Sequence, residues 1–357
     1  MVALFAKRLA LPALLLGTVC LLIIQRPTIG PMFDALLYGY LLQLFAEGTH
    51  GNITEPELFL LMVNPSTGPV FYQIFSVVLS SLGYQLEKLT LAPLLVNSFL
   101  LSILLWRIHL AFERHSMAVY LSAAIILSLM LHDTRWLLFL LGDAPSLLIS
   151  IIACSFIIDP KLSITKKHIL FTFTACLALY TRLTCLPLIA GAALYLVGQT
   201  WLHYRDNNPI QALLKQGFIN LTIAASIYLF ITLIEYALVY SHHKQYYFEL
   251  FKIHIDFLSD NQNTRIIRGE NLVQSIQLII ESAQKNYALL NSFYETRFGF
   301  KLHLWQLTAL IITALIATRK KAITKNPLFP ALLLFSTMTF FQGLWFFSAP
   351  ELLYNRY

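Results

Sequence analysis

The sequence predicts an all-α protein, a polytopic transmembrane helix bundle of about nine spans with juxtamembrane helices and a helical second outer loop. Three observations carry this. Hydrophobic residues fill 57% of the 357 positions and charged residues only 12%, against about 25% charged in an ordinary soluble domain. Mean hydropathy is +0.67. The apolar residues form long uncharged runs, with Lys and Arg mostly in short clusters between them. A soluble fold of this length buries a large core, but it cannot leave so little to face water. The net charge of +7 forms no continuous basic stripe. It therefore speaks for orientation in a bilayer and against a nucleic-acid partner.

At the N-terminus Lys7 and Arg8 precede an apolar stretch from Leu9 to Ile24. This imitates a signal peptide, but Gln25, Arg26 and Pro27 follow where a small-residue cleavage site would stand. The reading is an uncleaved first span. Further spans are expected near residues 91–106, 117–131, 136–158, 168–180, 183–202, 217–240, 304–318 and 328–348. The segment 68–82 is apolar but only about 15 residues long, the length of an interfacial or re-entrant piece. Charge decides its placement. If 68–82 does not cross, Arg107 with Arg114, Lys161 with Lys166 and Lys167, Arg205 with Lys215, and Arg319 with Lys320 and Lys321 all share a side with Lys7. That side is cytoplasmic by the positive-inside rule. Two large loops, 25–90 and 241–303, then lie outside, and the C-terminus points outward.

The chain so divides into a module over 1–240 that includes the first outer loop 25–90, a second outer loop 241–303, and C-terminal spans over 304–357. In the second loop Leu272, Ile276, Ile279, Ile280 and Ala283 recur at helical spacing beside Glu281 and Lys285, the pattern of an amphipathic helix. No internal repeat is visible. Cys20, Cys154, Cys176 and Cys185 lie in apolar runs without metal or redox spacing. They read as small buried hydrophobes, and no disulfide is expected.

Residues able to carry chemistry concentrate on the outer side. Asp34 begins a segment in which Leu37, Leu41, Leu44 and Phe45 make one apolar face, an interfacial helix just beyond the first span. A carboxylate held there suits a general base that meets a lipid-borne substrate; it equally suits a helix cap. Pro65, Gly68 and Pro69 break the chain before the aromatic run Phe71-Tyr72. Asp143, in Gly142-Asp143-Ala144-Pro145, is expected about two turns inside the fourth span. An acid at that depth is costly unless it faces protein, water or a partner, with Arg135 and Arg182 as candidate ion-pair partners. Glu235, in the seventh span, suits a packing hydrogen bond. Arg182, in Tyr180-Thr181-Arg182-Leu183-Thr184, stands at the junction of two spans. There it can grip a phosphate through two parallel N–H donors or act as a snorkelling anchor, and the same holds for Arg356. His242 and His243 are adjacent but lack further ligands, so no metal is assigned; a divalent cation is the one cofactor the site leaves room for.

Together these features resemble the GT-C superfamily of membrane glycosyltransferases, in particular the branch of protein O-mannosyltransferases and lipid A aminoarabinose transferases. Asp34 with Tyr38 and Gly48 is similar to that family's acid, aromatic and glycine pattern in the first outer loop. Gly68-Pro69-Val70-Phe71-Tyr72 resembles its Pro-aromatic interfacial helix, and Gly142-Asp143-Ala144-Pro145 its Gly-acid-x-Pro stretch. The second large loop follows the seventh span, as in the family. Two departures stand out. The family often has two adjacent acids where Asp34 follows Phe33, and relatives continue past a similar Arg-Tyr where this sequence ends at Arg356-Tyr357. The chain is accordingly read as a short member or as a piece of a longer one.

The resemblance implies transfer of a sugar from a polyprenyl-phosphate donor to a hydroxyl of a glycan, lipid or protein acceptor, with inversion. It makes Asp34 the base, while Arg182, with Lys88 or Arg356, neutralises the departing phosphate and Tyr38 and Tyr72 line the cavity with Asp143. It implies a multi-pass protein surrounded by membrane lipid, with a bacterial inner membrane favoured over the endoplasmic reticulum. Two readings from other classes compete, a transporter or lipid flippase and a non-catalytic scaffold subunit. Against the transporter stands the lack of a repeat with paired broken helices.

Overall fold

In a chain so poor in polar side chains, the backbone N–H and C=O groups must satisfy one another, and the helix does this within a single segment. The structure, a computed structural model, describes residues 33–48, 50–52, 54, 57, 69–84, 88–112, 140, 142–182, 185–206 and 208–238, with single helical positions between 274 and 288. The described residues form seven continuous helices and no strand. These are α1 (Phe33–Gly48), α2 (Pro69–Leu82), α3 (Lys88–Phe112), α4 (Asp143–Ile158), α5 (Ile164–Thr181), α6 (Leu186–His203) and α7 (Pro209–Leu238).

Local chemistry sets their ends. Gly83, at φ +92°, stops α2 and gives its N–H to the Leu79 carbonyl; a left-handed residue at this position is the usual glycine terminator. Ser163 caps α5 by accepting from the Lys166 N–H at 3.4 Å. Pro187 sits in the first turn of α6 and Pro209 opens α7, where a missing N–H costs nothing. Asn208, at φ 54°, turns the chain into α7.

The chain divides into two compact units: residues 1–185 with 200–248, and residues 186–199 with 249–357. In the first unit α4 packs against α3 and α5, and α5 packs against α7. The helix α2 touches α1, α3, α5 and α7, and α1 reaches α3. One apolar cluster joins Leu94, Leu101, Leu104 and Leu105 of α3 to Ala144, Leu148 and Ile152 of α4. A second joins Val70 of α2, Cys176 of α5, and Ile227 and Ile231 of α7. In the second unit Gln274, Gln277, Glu281, Gln284 and Ala288 are helical and exposed. Their spacing of three and four is that of one face of a helix, the solvent-side complement of the apolar positions expected around Ile276 and Ile279.

Helices α3 and α7 contain stretches long and apolar enough to cross a membrane, Lys88–Arg107 and Pro209–Ile234. Only 11% of the most apolar window of α7 is buried within the protein, so its apolar side chains, among them Leu214, Phe218 and Leu221, face outward. The segments 9–24, 117–131, 304–318 and 328–348 lie outside the described residues.

Three boundaries differ from expectation. Helix α3 exceeds the expected 91–106 at both ends, and α7 starts at Pro209 rather than 217. The described helix α4 starts at Asp143 rather than 136. Asp143 is therefore the first residue of that helix, not a residue two turns inside it. Pro145 fits that start, because first-turn N–H groups have no acceptor within the helix. In α1 the expected face is correct at Leu41, Leu44 and Phe45, which are buried with Tyr38, while Leu37 one turn earlier stays 37% exposed.

Polar contacts mark two ends of the first unit. At one, the Arg107 Nη2 donates to Asp159 Oδ2 at 3.0 Å and its Nε to Ser155 Oγ at 3.3 Å, with the guanidinium carbon 4.2 Å from the Phe156 ring centre. The Lys161 N–H donates to the other Asp159 oxygen at 2.9 Å. Beside this, Gln216 Nε2 of α7 donates to Thr165 Oγ1, and His168 of α5 bonds Thr200 and Asn220. The ends of α3 and α4 thus meet the starts of α5 and α7. The opposite end gathers the starts of α3 and α4 and the end of α5, and the candidate site stands there.

The Arg107–Asp159 pair generates a prediction, because both side chains are almost buried. Arg107→Ala strands the carboxylate and costs about 3–5 kcal/mol, whereas Arg107→Met combined with Asp159→Leu recovers most of that loss. Unfolding midpoints in detergent check this; an unchanged midpoint for Arg107→Ala contradicts it.

Candidate functional site

The chain leaves α5 at Arg182, whose extended backbone caps the helix through its N–H to the Ala178 carbonyl. This turn directs the side chain inward. Arg182 is 1% exposed, the largest side chain among those fully buried. Its Nη1 donates to the Tyr38 hydroxyl of α1 at 3.2 Å, and its guanidinium carbon lies 5.9 Å from the Tyr38 ring centre, within reach of a cation–π contact. The Cys185 thiol closes the loop by donating to the Arg182 carbonyl at 3.2 Å. A guanidinium held this way is no snorkelling anchor at a surface.

The second wall is Gly142, the residue before α4. A Cβ built there would stand 3.2 Å from Arg182 Cδ and 3.3 Å from the Thr181 carbonyl. Glycine lets the start of α4 approach the Arg182 stem at a distance where an added Cβ would press on its neighbours by a few tenths of an ångström. The third wall is aromatic. Tyr38 meets Phe71 edge-on at 5.8 Å, Phe71 packs on Phe75 at 4.6 Å and Tyr72 at 5.7 Å, and Tyr72 stacks on Phe45 at 5.7 Å. The Pro-aromatic helix α2 is thereby fastened to α1. Behind Tyr38, a Cβ on Gly39 would come within 2.9 Å of Leu89, so α1 lies directly on the first turn of α3.

The predicted residues distribute as follows. Tyr38 and Arg182 touch. Tyr72 is buried two ring contacts away, Arg182–Tyr38–Phe71–Tyr72. Asp143 follows Gly142 at the start of α4, and Asp34 stands one turn before Tyr38, a spacing that shares a helix face; both are described by backbone position only. Lys88 opens α3 and is half-buried; its neighbour Leu89 is the residue that lies against Gly39 of α1. Arg356, like Arg135, His242 and His243, lies outside the described residues. The chain matches no protein-family model, no curated protein and no solved structure. The geometry is therefore the only independent witness to the site.

Chemically, the arrangement offers a cation in a buried, aromatic-walled junction, with the backbone of two acids at its edge. Buried guanidinium groups suit bidentate contact with phosphate or carboxylate. Gly142 and Gly39 are the contributors that sequence reasoning valued least. Gly142 was visible as part of the Gly-Asp-Ala-Pro stretch and Gly39 only as the residue after Tyr38, and what each packs against depends on helices far apart in the chain.

The close approach at Gly142 predicts opposite signs for one substitution at two sites. Gly217→Ala in α7, with nothing within 4 Å of the added carbon, stabilises by up to about 1 kcal/mol through helix propensity. Gly142→Ala destabilises by about 1–3 kcal/mol, as overpacking does. Thermal midpoints of both variants in one detergent check this, and a stabilised Gly142→Ala contradicts the contact.

Proposed function

We propose that this chain is a multi-pass membrane glycosyltransferase of the GT-C type. It moves a sugar from a polyprenyl-phosphate donor to the hydroxyl of a glycan, lipid or protein acceptor on the extracytoplasmic face of a bacterial inner membrane. One observation carries the reading more than any other: the buried Arg182 guanidinium rests on Tyr38, one helical turn from Asp34. The resemblance of the first outer loop, the Pro-aromatic helix and the Gly-Asp-Ala-Pro stretch agrees with it. So does the distribution of charge, since Lys161, Lys166, Arg205 and Lys215 cluster at the opposite end of the unit, the end that the positive-inside rule assigns to the cytoplasm.

In this reading the acceptor oxygen attacks the anomeric carbon while its proton passes to the Asp34 carboxylate. The bond between the anomeric carbon and the phosphate oxygen breaks, and its electron pair leaves with the lipid phosphate. The donor is a phosphodiester carrying one negative charge and the departing lipid phosphate is a monoester carrying up to two, so a fixed cation beside hydrocarbon stabilises the developing charge. Arg182 is that cation, and Lys88 and Arg356 are the candidates to assist it. Inversion of configuration follows from a single displacement.

Asp34→Asn keeps the size and helix-capping capacity of the side chain and removes the base. The variant inserts and unfolds like the wild type, while sugar transfer falls at least about a hundredfold, the usual worth of a general base. Reconstitution with a polyprenyl-phosphate sugar measures this; unchanged turnover returns Asp34 to the role of a helix cap.

A further inference from the structure

The end of the first unit remote from Arg182 has a composition of its own. Lys161, Lys166, Arg205 and Lys215 are all exposed there and Lys167 is half-buried, while Asp206 is the exposed acid among the described residues of that end. The other acid, Asp159, is buried and already engaged by Arg107. Inter-helix bonds hold these cations in one neighbourhood. Lys166 and Lys215 flank the bonded pair Thr165 and Gln216, and Lys161 bonds Asp159 through its backbone. Such an end draws anions toward it.

The residues beside the cations identify the partner. Trp106, next to Arg107, is 55% exposed, and Trp201, next to Thr200, is 43% exposed. Thr200 is tied to His168 of α5 at 2.7 Å, so both indoles stand at the level of the basic residues. Inward of that level the exposed surface turns apolar, with Ile169 and Phe173 of α5 and Phe218 and Leu221 of α7 open to the outside. An acidic protein or nucleic acid would meet the cations but would not require this apolar border. A border of Trp between exposed Lys/Arg and exposed aliphatic residues fits the headgroup layer of a bilayer.

We infer that this end sits in the headgroup layer of one leaflet and binds anionic phospholipids there, Lys161, Lys166, Arg205 and Lys215 facing their phosphates and Trp106 and Trp201 marking the boundary with the acyl chains. The inference rests on the membrane part of the proposed function and is independent of its chemistry.

The test reconstitutes the full chain in vesicles containing brominated lipids, which quench indole fluorescence on contact. Two variants each retain one tryptophan, Trp106 or Trp201, with the other tryptophans changed to Phe. Brominated phosphatidylcholine is expected to quench both indoles, and brominated phosphatidylglycerol at the same mole fraction to quench them more. That excess is expected to fall with salt and to fall by up to about fivefold for each cation removed in Lys161→Gln, Lys166→Gln and Lys215→Gln. Equal quenching by the two lipids, or an excess unchanged in the triple variant, overturns the anionic-lipid site while leaving the membrane reading intact. Lack of quenching by either lipid overturns both.

Discussion

A guanidinium at 1% exposure, 3.2 Å from a tyrosine hydroxyl, constrains everything around it, because a buried charge costs several kcal/mol unless its surroundings compensate. Here the surroundings come from four separated stretches of chain. The end of α5 delivers Arg182, α1 delivers the Tyr38 ring and hydroxyl, and Gly142 lets the start of α4 close on the stem. Phe71 of α2 holds Tyr38 from the other side. None of these contacts is local in sequence, so α1 and the later helices have to be assembled together for the charge to be tolerated.

The opposite end also holds a guanidinium that is largely buried. Arg107 finds a full counter-charge in Asp159 and a ring in Phe156, which makes that pair structural and leaves the exposed lysines of that end to face outward. The bundle thus has one end with a buried cation among aromatics and one end with many exposed cations beside tryptophans. That difference gives the first unit a direction. It is what a protein needs if its chemistry and its anchoring belong to opposite leaflets of one membrane.

Much of this was legible in the sequence wherever a single segment decides the outcome. Helices in the apolar runs, the break at Arg182 and the short helix after Gly68 follow from periodicity and from Pro and Gly. The position of Asp143 did not follow, because an apolar run from Trp136 to Ile158 does not reveal that the described helix begins at Asp143. Nor did the burial of Arg182, for which anchoring and phosphate binding were equally open. Its environment depends on Tyr38, 144 positions away, and a single sequence carries no signal for such a pairing. The family likeness brought Tyr38 and Arg182 into one list of residues; their hydrogen bond is a property of the packing.

The central claim is that Arg182 is held in the protein interior in order to bind a phosphate, and direct binding tests it. Affinity for a polyprenyl phosphate without sugar, measured in detergent for the wild type, Arg182→Lys and Arg182→Ala, separates a ligand-binding charge from a structural one. Comparing unfolding midpoints ensures that each protein assayed is folded. The account predicts a loss of about tenfold or more in Arg182→Ala, as expected for a charged hydrogen bond, with Arg182→Lys between the two because it retains charge and loses the planar fork. Equal affinity in all three folded proteins would contradict it.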